Sequence, residues 1–333
     1  MQMEPQMQLI NLEWFESSIK DSKKCIIGVS GGIDSMVLLH WLAQNKNNLP
    51  DIFEVMHIDH GIHPQSAEWA IMVEHTCANL GLKCTVQKVS IDVFGKNVEY
   101  AARQARYRAF CATGADSLVL AHHMNDQIET FFLKLFRGSG IRGLKSMPAV
   151  TTCWYDADVN VIRPLLNVSR STIEAYAAMN DIKHCEDTSN ADLKYDRNYI
   201  RHAVWPVIAE RFDIADININ KSIELLGEAW ELTTALAEND LKNAEIESNM
   251  LDWTKIKDLS MVRIKNLILH ILGINHVYGY SIGHIEQFAY GLQNATFDSK
   301  NELYVKGFKL RKHGKKIFIE TETANVPSDR SAA

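Results

Sequence analysis

No C-x-x-C pair occurs among the six cysteines, Cys25, Cys77, Cys84, Cys111, Cys153 and Cys185. A disulfide frame, a zinc ribbon and an iron–sulfur cradle are therefore disfavoured, and reduced, mostly buried thiols are expected. No apolar run approaches the roughly 20 residues that span a bilayer, and the opening MQMEPQMQLINLEWF lacks a basic start followed by an apolar stretch. A cytoplasmic chain without membrane contact is the expectation. Positive charge is not in excess either, since the formal net charge is -6. That argues mildly against a nucleic-acid partner, which usually demands a basic face. The average conceals a local patch, because Arg103, Arg106, Arg108, Lys134, Arg137, Arg142 and Lys145 fall in one stretch with few acids. Internal repeats and low-complexity tracts are also missing.

What remains is ordinary folded-protein composition, 46% hydrophobic and 23% charged, in 333 residues. At roughly 100 to 200 residues per domain, that length suggests two or three domains. Short β-rich runs alternate with helical patterns in the first half. KCIIGV (24–29) reads as a buried strand and 34–44 as its helix; 52–58 is a strand, 65–80 a helix ending at Gly81, and 83–91 a third strand. A helix over 98–113, a strand over 117–121 and a helix over 125–136 that stops at Gly138 complete four β-α units. Such a series predicts a doubly wound parallel sheet of the α/β class, with ligands at the carboxyl ends of its strands. An irregular hairpin is expected before Pro164, a helix capped by Ser169, and a helix over 198–211 kinked or broken by Pro206. The expected division is a catalytic domain over 1–215, a helical linker over 216–248, a smaller, mainly α-helical domain with one hairpin around His313 and Gly314 over 249–322, and a flexible tail over 323–333.

The most informative residues are Ser30, Gly31, Gly32, Ile33, Asp34 and Ser35, SGGIDS, between the first strand and its helix. A loop there aims backbone N–H groups and a helix N-terminus at an anion, and the glycines let the ligand approach the main chain. Asp34 would repel a bare phosphate, so it reads as a magnesium ligand. The competing reading is a tight βα turn with Asp34 as a helix cap. Gly138, Gly140 and Gly143 match G-x-G-x-x-G but follow a helix rather than a strand, so the dinucleotide fingerprint lacks its context. GSGIRGLK does not supply the Gly-Lys of a Walker A loop.

HIDHGIH places His57, Asp59, His60 and Gly61 after the second strand, where polar contacts to a nucleotide are favoured over a zinc site of His57, His60 and His63. NVEYAARQARY sets Glu99, Arg103, Arg106 and Tyr107 on adjoining helix faces, unless it is simply a solvated Glu–Arg ladder. His122 and His123 end the fourth strand. Asp126 and Glu129, three apart on the next helix, form a carboxylate pair suited to an ammonium group or a metal.

SGGIDS resembles the loop of ATP enzymes that attack the α-phosphate and release pyrophosphate. AHHMNDQIETFFLKLFRGSGIRGL, NVEYAARQARY, RPLLNVSR and EDTSNADLKYDRNYIR are together similar, in order and spacing, to the blocks of the tRNA(Ile)-lysidine synthase family, over about residues 24 to 210. Asn125 stands where many members carry aspartate, and His63 where an arginine is common. The resemblance implies an adenine nucleotide α-hydrolase fold, with ATP, Mg2+, free L-lysine and a CAU-anticodon isoleucine tRNA as cofactors and partners; a homodimer is compatible with it. ATP would adenylate the C2 oxygen of the wobble cytidine, and the lysine ε-amine would then displace AMP. In that picture Ser30 to Ser35, His57 and Asp59 hold ATP, and Asp34 holds magnesium. Asp126 and Glu129 bind lysine, and Arg106 acts on phosphate charge. Arg103, His122, Arg137, Arg142, Arg197 and Arg201 contact RNA or phosphate. A tRNA thiolase of the same superfamily and a non-catalytic ATP- or RNA-binding module are the alternatives. Paired cysteines would favour the first, and ATP binding without pyrophosphate release the second.

Overall fold

The computed structural model describes residues 9–61, 63–90, 98–187 and 191–321, and for Val98 and Glu99 the backbone only. The expected tail, the last residue of the third expected strand and the Glu99 side chain lie outside what is described. Two compact units are present, residues 1–226 and 227–333.

The first unit opens with α1 (Leu12–Ser18), followed by β1 (Cys25–Gly28), α2 (Ile33–Asn45), β2 (Phe53–Asp59), α3 (Ser66–Leu80) and β3 (Cys84–Lys88). Next come α4 (Val98–Cys111), β4 (Ser117–Val119), α5 (Met124–Phe136), α6 (Ile141–Leu144), β5 (Val150–Thr152), β6 (Asn160–Ile162) and α7 (Arg170–Met179). After α8 (Asp196–Tyr199), a π-helical turn (Ile200–Val204) leads into α9 (Trp205–Arg211) and α10 (Ala215–Ala244). The sheet runs β3-β2-β1-β4-β6-β5 among the described residues, parallel except for β5. This is the doubly wound sheet that the alternating pattern predicts; the short hairpin before Pro164 supplies its antiparallel edge.

Burial explains the sequence of its centre. β1 is covered on both faces, so CIIG is apolar without alternation. α2 carries Val37, Leu38 and Leu39 at 0% exposure. At roughly 1.5–3 kcal/mol for each such side chain, burial rather than an amphipathic stripe holds this helix in place. Gly81 closes α3 in the left-handed conformation, φ 65°. Pro206 acts as its chemistry requires. Without an N–H it cannot bond the carbonyl four residues back, and the register widens to the π-helical turn immediately before it.

The second unit holds the remainder of α10, then β7 (Glu245–Glu247), β8 (Met250–Asp252), α11 (Trp253–Ile256), α12 (Met261–Ile274), α13 (Ile282–Gln293), β9 (Asn301–Val305), β10 (Phe308–His313) and β11 (Lys316–Thr321). Besides its helices it contains an antiparallel sheet ordered β7-β8-β11-β10-β9. The expected hairpin is its centre, with His313 opposite Lys316. The sheet is larger than expected because β7 and β8 are three residues each, too short to show an alternation. Lys312 is fully buried there, its Nζ bonded to the carbonyls of Thr296, Phe297 and Ser299 and lying 4.4 Å from the Trp253 ring centroid.

Candidate active site

Strand order reverses at β1, whose neighbours are β2 on one side and β4 on the other. The loops leaving β1 and β4 therefore diverge over a crevice, the place where open α/β sheets bind ligands. The loop after β1 is SGGIDS. Its Gly31 has φ 92°, a region that side-chain-bearing residues rarely adopt. Ser35 is buried and works inside the loop: its Oγ accepts the N–H of Ser30 and Gly31 at 3.2 Å each and donates to the Gly32 carbonyl at 2.8 Å. Gly32 is the N-cap of α2 and provides no side-chain cap, leaving the first-turn N–H groups of the helix for an anion. Gly31→Ala is expected to raise the KM for ATP about tenfold, since a left-handed residue with a Cβ costs of order 1–2 kcal/mol. Steady-state kinetics with ATP varied check this, and an unchanged KM would mean that the loop does not hold the nucleotide.

His57 and Asp59 stand at the same edge. The His57 Nδ1–H donates to the Val29 carbonyl at 2.9 Å, bracing the loop, and burial pushes its pKa down. Burial alone would raise the Asp59 pKa, but the Gly61 N–H at 3.0 Å, Ser66 and Lys88 outweigh it, so the carboxyl sits below its ordinary range. The three histidines of HIDHGIH point to separate partners: His63 stacks on Trp69 at 4.4 Å, while Arg106 lies near enough to His60 to lower its pKa further beyond the effect of burial.

The loop after β4 supplies the other half. His123 caps α5. Its Nδ1 accepts the Asn125 N–H at 3.2 Å, and its own N–H donates to Asp126 Oδ2 at 3.0 Å. With Nδ1 used as an acceptor, the ring N–H is on Nε2, which lies 3.6 Å from Asp34 Oδ1 and 3.7 Å from Asp126 Oδ2. His123 thus links the phosphate-loop carboxylate to the α5 carboxylate. Asp34 also receives Arg170 Nη1, at 2.9 and 3.0 Å from its two oxygens.

Asp126 and Glu129 form one cluster with Arg197 and Arg201. Glu129 is 3% exposed and takes Arg197 Nε and Arg201 Nε at 2.6 Å each, plus Arg201 Nη2 at 3.0 Å. Asp126 Oδ1 takes Arg197 Nη2 at 2.8 Å. Desolvation works to raise the Asp126 pKa, but His123, Arg197 and His122 override it and pull the carboxyl down to about 2. Arg201 follows Arg197 by four residues, which sets the two side chains on one helix face. His122 is different in kind: burial pushes its pKa down to about 3, helped by Arg163, Arg197 and Arg103, so it is neutral at pH 7 and offers phosphate no charge.

Arg103 lies over the Tyr107 ring at 5.3 Å, and Arg137 pairs with Asp196 at the surface at 3.3 Å. Arg142 is in α6, beyond the end of α5. Two members of the site have no role in the sequence reading. His123 was visible as half of a histidine pair ending a strand. Arg170 followed the Ser169 cap inside RPLLNVSR, with nothing local to tie it to Asp34.

A strand, a glycine turn and a helix N-terminus at the switch point, faced by acidic and basic side chains, define a nucleotide-binding protein of the PP-loop class. A family model described as a PP-loop domain matches residues 3–208. The chain is 31% identical over 298 residues to a tRNA(Ile)-lysidine synthase of Nitrosomonas europaea, covering 89% of this chain and 65% of that one. To a tRNA(Ile)-lysidine synthase of Vibrio cholerae it is 32% identical over 313 residues, covering 93% and 70%. The chain belongs to the tRNA(Ile)-lysidine synthase family, and it spans about two thirds of the length of these curated relatives. A solved U34-tRNA thiolase from Methanococcus maripaludis shares the fold alone, with TM-score 0.50 and 14% identity over 65% of this chain and 80% of that one.

Proposed function

We propose that this chain joins free L-lysine to C2 of the wobble cytidine in a CAU-anticodon isoleucine tRNA, changing the codon read from AUG to AUA and the amino acid accepted from methionine to isoleucine. The observation that carries this reading is the line from Asp34 through His123 to Asp126, which sets a carboxylate able to hold an ammonium group beside a loop built for phosphates.

The C2 oxygen attacks the α-phosphorus of ATP, and the bond to the β-phosphate oxygen breaks, releasing pyrophosphate. The lysine ε-amine, having lost a proton, then attacks C2; the C2–O bond breaks and AMP leaves with that oxygen. The N–H groups of the α2 first turn, with Ser30, hold phosphate oxygens, while His57 and Asp59 brace the nucleotide edge. Asp34 would hold Mg2+ by giving up the Arg170 Nη1 that now bonds both of its oxygens, as one carboxylate of a shell otherwise made by phosphates and water; a bound Mg2+ would neutralise charge on the leaving pyrophosphate. Asp126, held near 2, is a weak base and a durable anion, so its role is to bind the lysine ammonium and orient it. Glu129 has its oxygens occupied by two guanidinium groups. It holds Arg197 and Arg201 in place, and these face the phosphate charge that develops. Arg106 serves phosphate from α4.

RNA binding falls to the basic stretch. From Thr130 to Tyr155 there is no acidic residue, while Lys134, Arg137, Arg142 and Lys145 alternate with the exposed Phe136 and Ile141. Charge for the backbone and apolar faces for bases suit an anticodon loop. Arg103 and His122 would meet it from α4 and from the loop after β4, His122 as a neutral hydrogen-bonding group. Residues 1–215 are the catalytic part in this reading, 216–248 the link, and 249–322 the part that grips tRNA; the protein would act in the cytoplasm. No described helix is long and apolar enough to cross a membrane.

Mass spectrometry of the tRNA after incubation with ATP and lysine tests the proposal. One lysine condensed onto the wobble cytidine, with AMP and pyrophosphate as products, is the expected result. ADP as product, or AMP release that is the same without lysine, would overturn it.

A further inference from the structure

The basic stretch after α5 is tied back to that helix through one buried side chain. Gln127 is 4% exposed, and its amide is spent on a single residue: Nε2 donates to the Met147 carbonyl at 2.7 Å, and the Met147 N–H donates to Oε1 at 2.8 Å. One side chain thus satisfies both backbone groups of Met147, as a paired strand would. The next two residues are tied to the end of β6, where Arg163 Nη1 donates to the Pro148 carbonyl at 2.9 Å and the Arg163 N–H to the Ala149 carbonyl at 2.8 Å. Ser146, just before this clamp, has φ 54°, a left-handed conformation that a residue with a Cβ keeps only where its surroundings over-determine it. Between the end of α5 and the clamp the chain packs on itself. The Ser139 N–H donates to the Lys134 carbonyl at 3.0 Å, and a Cβ at Gly143 would stand 2.6 Å from Ser139 Cβ. Gly143, the last glycine of the G-x-G-x-x-G pattern, therefore serves the close packing of α6 on the turn before it rather than a dinucleotide.

Resting on the function proposed above, in which Lys134, Arg137, Arg142 and Lys145 meet RNA, we infer that Gln127 is a positioning residue that sets where the RNA sits relative to the reacting carboxylates. The excursion leaves α5 after Phe136 and returns at Gln127, nine residues back, about 14 Å along the helix axis. Gln127 directly follows Asp126 and lies two residues before Glu129. The return point of the excursion is thus fixed to the turn of α5 that carries both acidic residues, and Arg142 and Lys145, close before Met147 in the chain, inherit that position. Phosphate contacts set the register of a nucleic acid on a protein, and here that register is passed to Asp126 through Gln127. Gln127 itself touches no substrate in this arrangement and acts through Met147. Arg163 holds the neighbouring carbonyls, so loss of Gln127 loosens the excursion without releasing it.

Three variants of the full chain test this, with a CAU anticodon stem-loop RNA as probe and lysine-dependent AMP release as the assay. Gln127→Met fills the same space without either hydrogen bond; it is expected to raise the KM for the RNA about tenfold and to leave the KM for ATP within about twofold. Amide hydrogen exchange over residues 141–149 should quicken in the same variant. Gln127→Glu keeps an acceptor for the Met147 N–H and loses the amide donor, so it should raise the RNA KM by at least about threefold, and it carries the test if Gln127→Met does not fold. Ser146→Gly relieves the left-handed strain while the clamp stays; its urea midpoint should rise and its RNA KM stay within about twofold. Faster exchange in the Gln127 variants with an unchanged RNA KM would make Gln127 a purely structural residue and overturn the inference. An RNA KM raised as far by Ser146→Gly would assign the positioning to the strained turn instead and overturn it as well. If the unsubstituted chain makes no lysidine, the functional reading fails first and the inference falls with it, and that control tells the two failures apart.

Discussion

Glu129→Ala is expected to abolish lysidine formation and to destabilise the first unit by about 3 kcal/mol, the range seen when one partner of a buried ion cluster is removed. Glu129 is 3% exposed, whereas the Arg197 and Arg201 side chains that bind it are 31% and 34% exposed. Removing the carboxylate strands two guanidinium groups at the edge of the site. Their shared anchor is then Asp126, which they approach at 2.8 and 3.5 Å. Two cations on one carboxylate compete with the lysine ammonium for it, so binding and chemistry fail together. Glu129→Gln keeps the volume and one acceptor oxygen, and should recover most of the stability while leaving turnover at least a hundredfold low. Urea midpoints and lysine-dependent AMP release measure the two effects. A Gln variant with full activity would show that the charge of Glu129 does not position the arginines.

The contrast between Asp126 and Glu129 also marks what was legible in the sequence. Their spacing of three on a helix after a strand was enough to put both on one face at the ligand edge, and SGGIDS was enough to find the phosphate loop. The parallel sheet followed from short apolar strands alternating with helices, because burial on both faces erases the two-residue period. Nothing local could distinguish the two carboxylates. Glu129 is saturated because Arg197 and Arg201, four residues apart on one helix face, arrive from 68 and 72 residues away. The Asp34 to Arg170 contact spans 136 residues. In the second unit the three-residue strands β7 and β8 were hidden for the opposite reason: each is too short to carry a pattern, and they become strands by pairing, β8 with β11 and β7 with β8.

Acid should unfold the first unit in two stages that both trace to the α5 entrance. His122 is held near pKa 3 in the folded protein, against 6.5 for an ordinary histidine. The unfolded chain therefore takes up a proton that the native ring refuses. Stability is complete above about pH 6.5 and falls as the pH drops toward 3, by a total on the order of 5 kcal/mol at about 1.4 kcal/mol for each pH unit between the two values. Asp126 acts lower down. Its folded value of about 2 lies below the ordinary 3.8, so the charge on this carboxylate stabilises the fold above about pH 4, and that contribution, roughly 2 kcal/mol, is lost as the pH falls through 2. His122→Asn removes the first process and leaves the second. The variant's urea midpoint should thus fall less than that of the unsubstituted protein between pH 6.5 and 4, with the two curves running parallel above pH 7. Parallel curves over the whole range would mean that His122 is protonated in the folded state at pH 5, and with that its neutral contact to RNA would have to be given up. An arginine-like ionic contact would then be open to it only where the pH lies below its folded value.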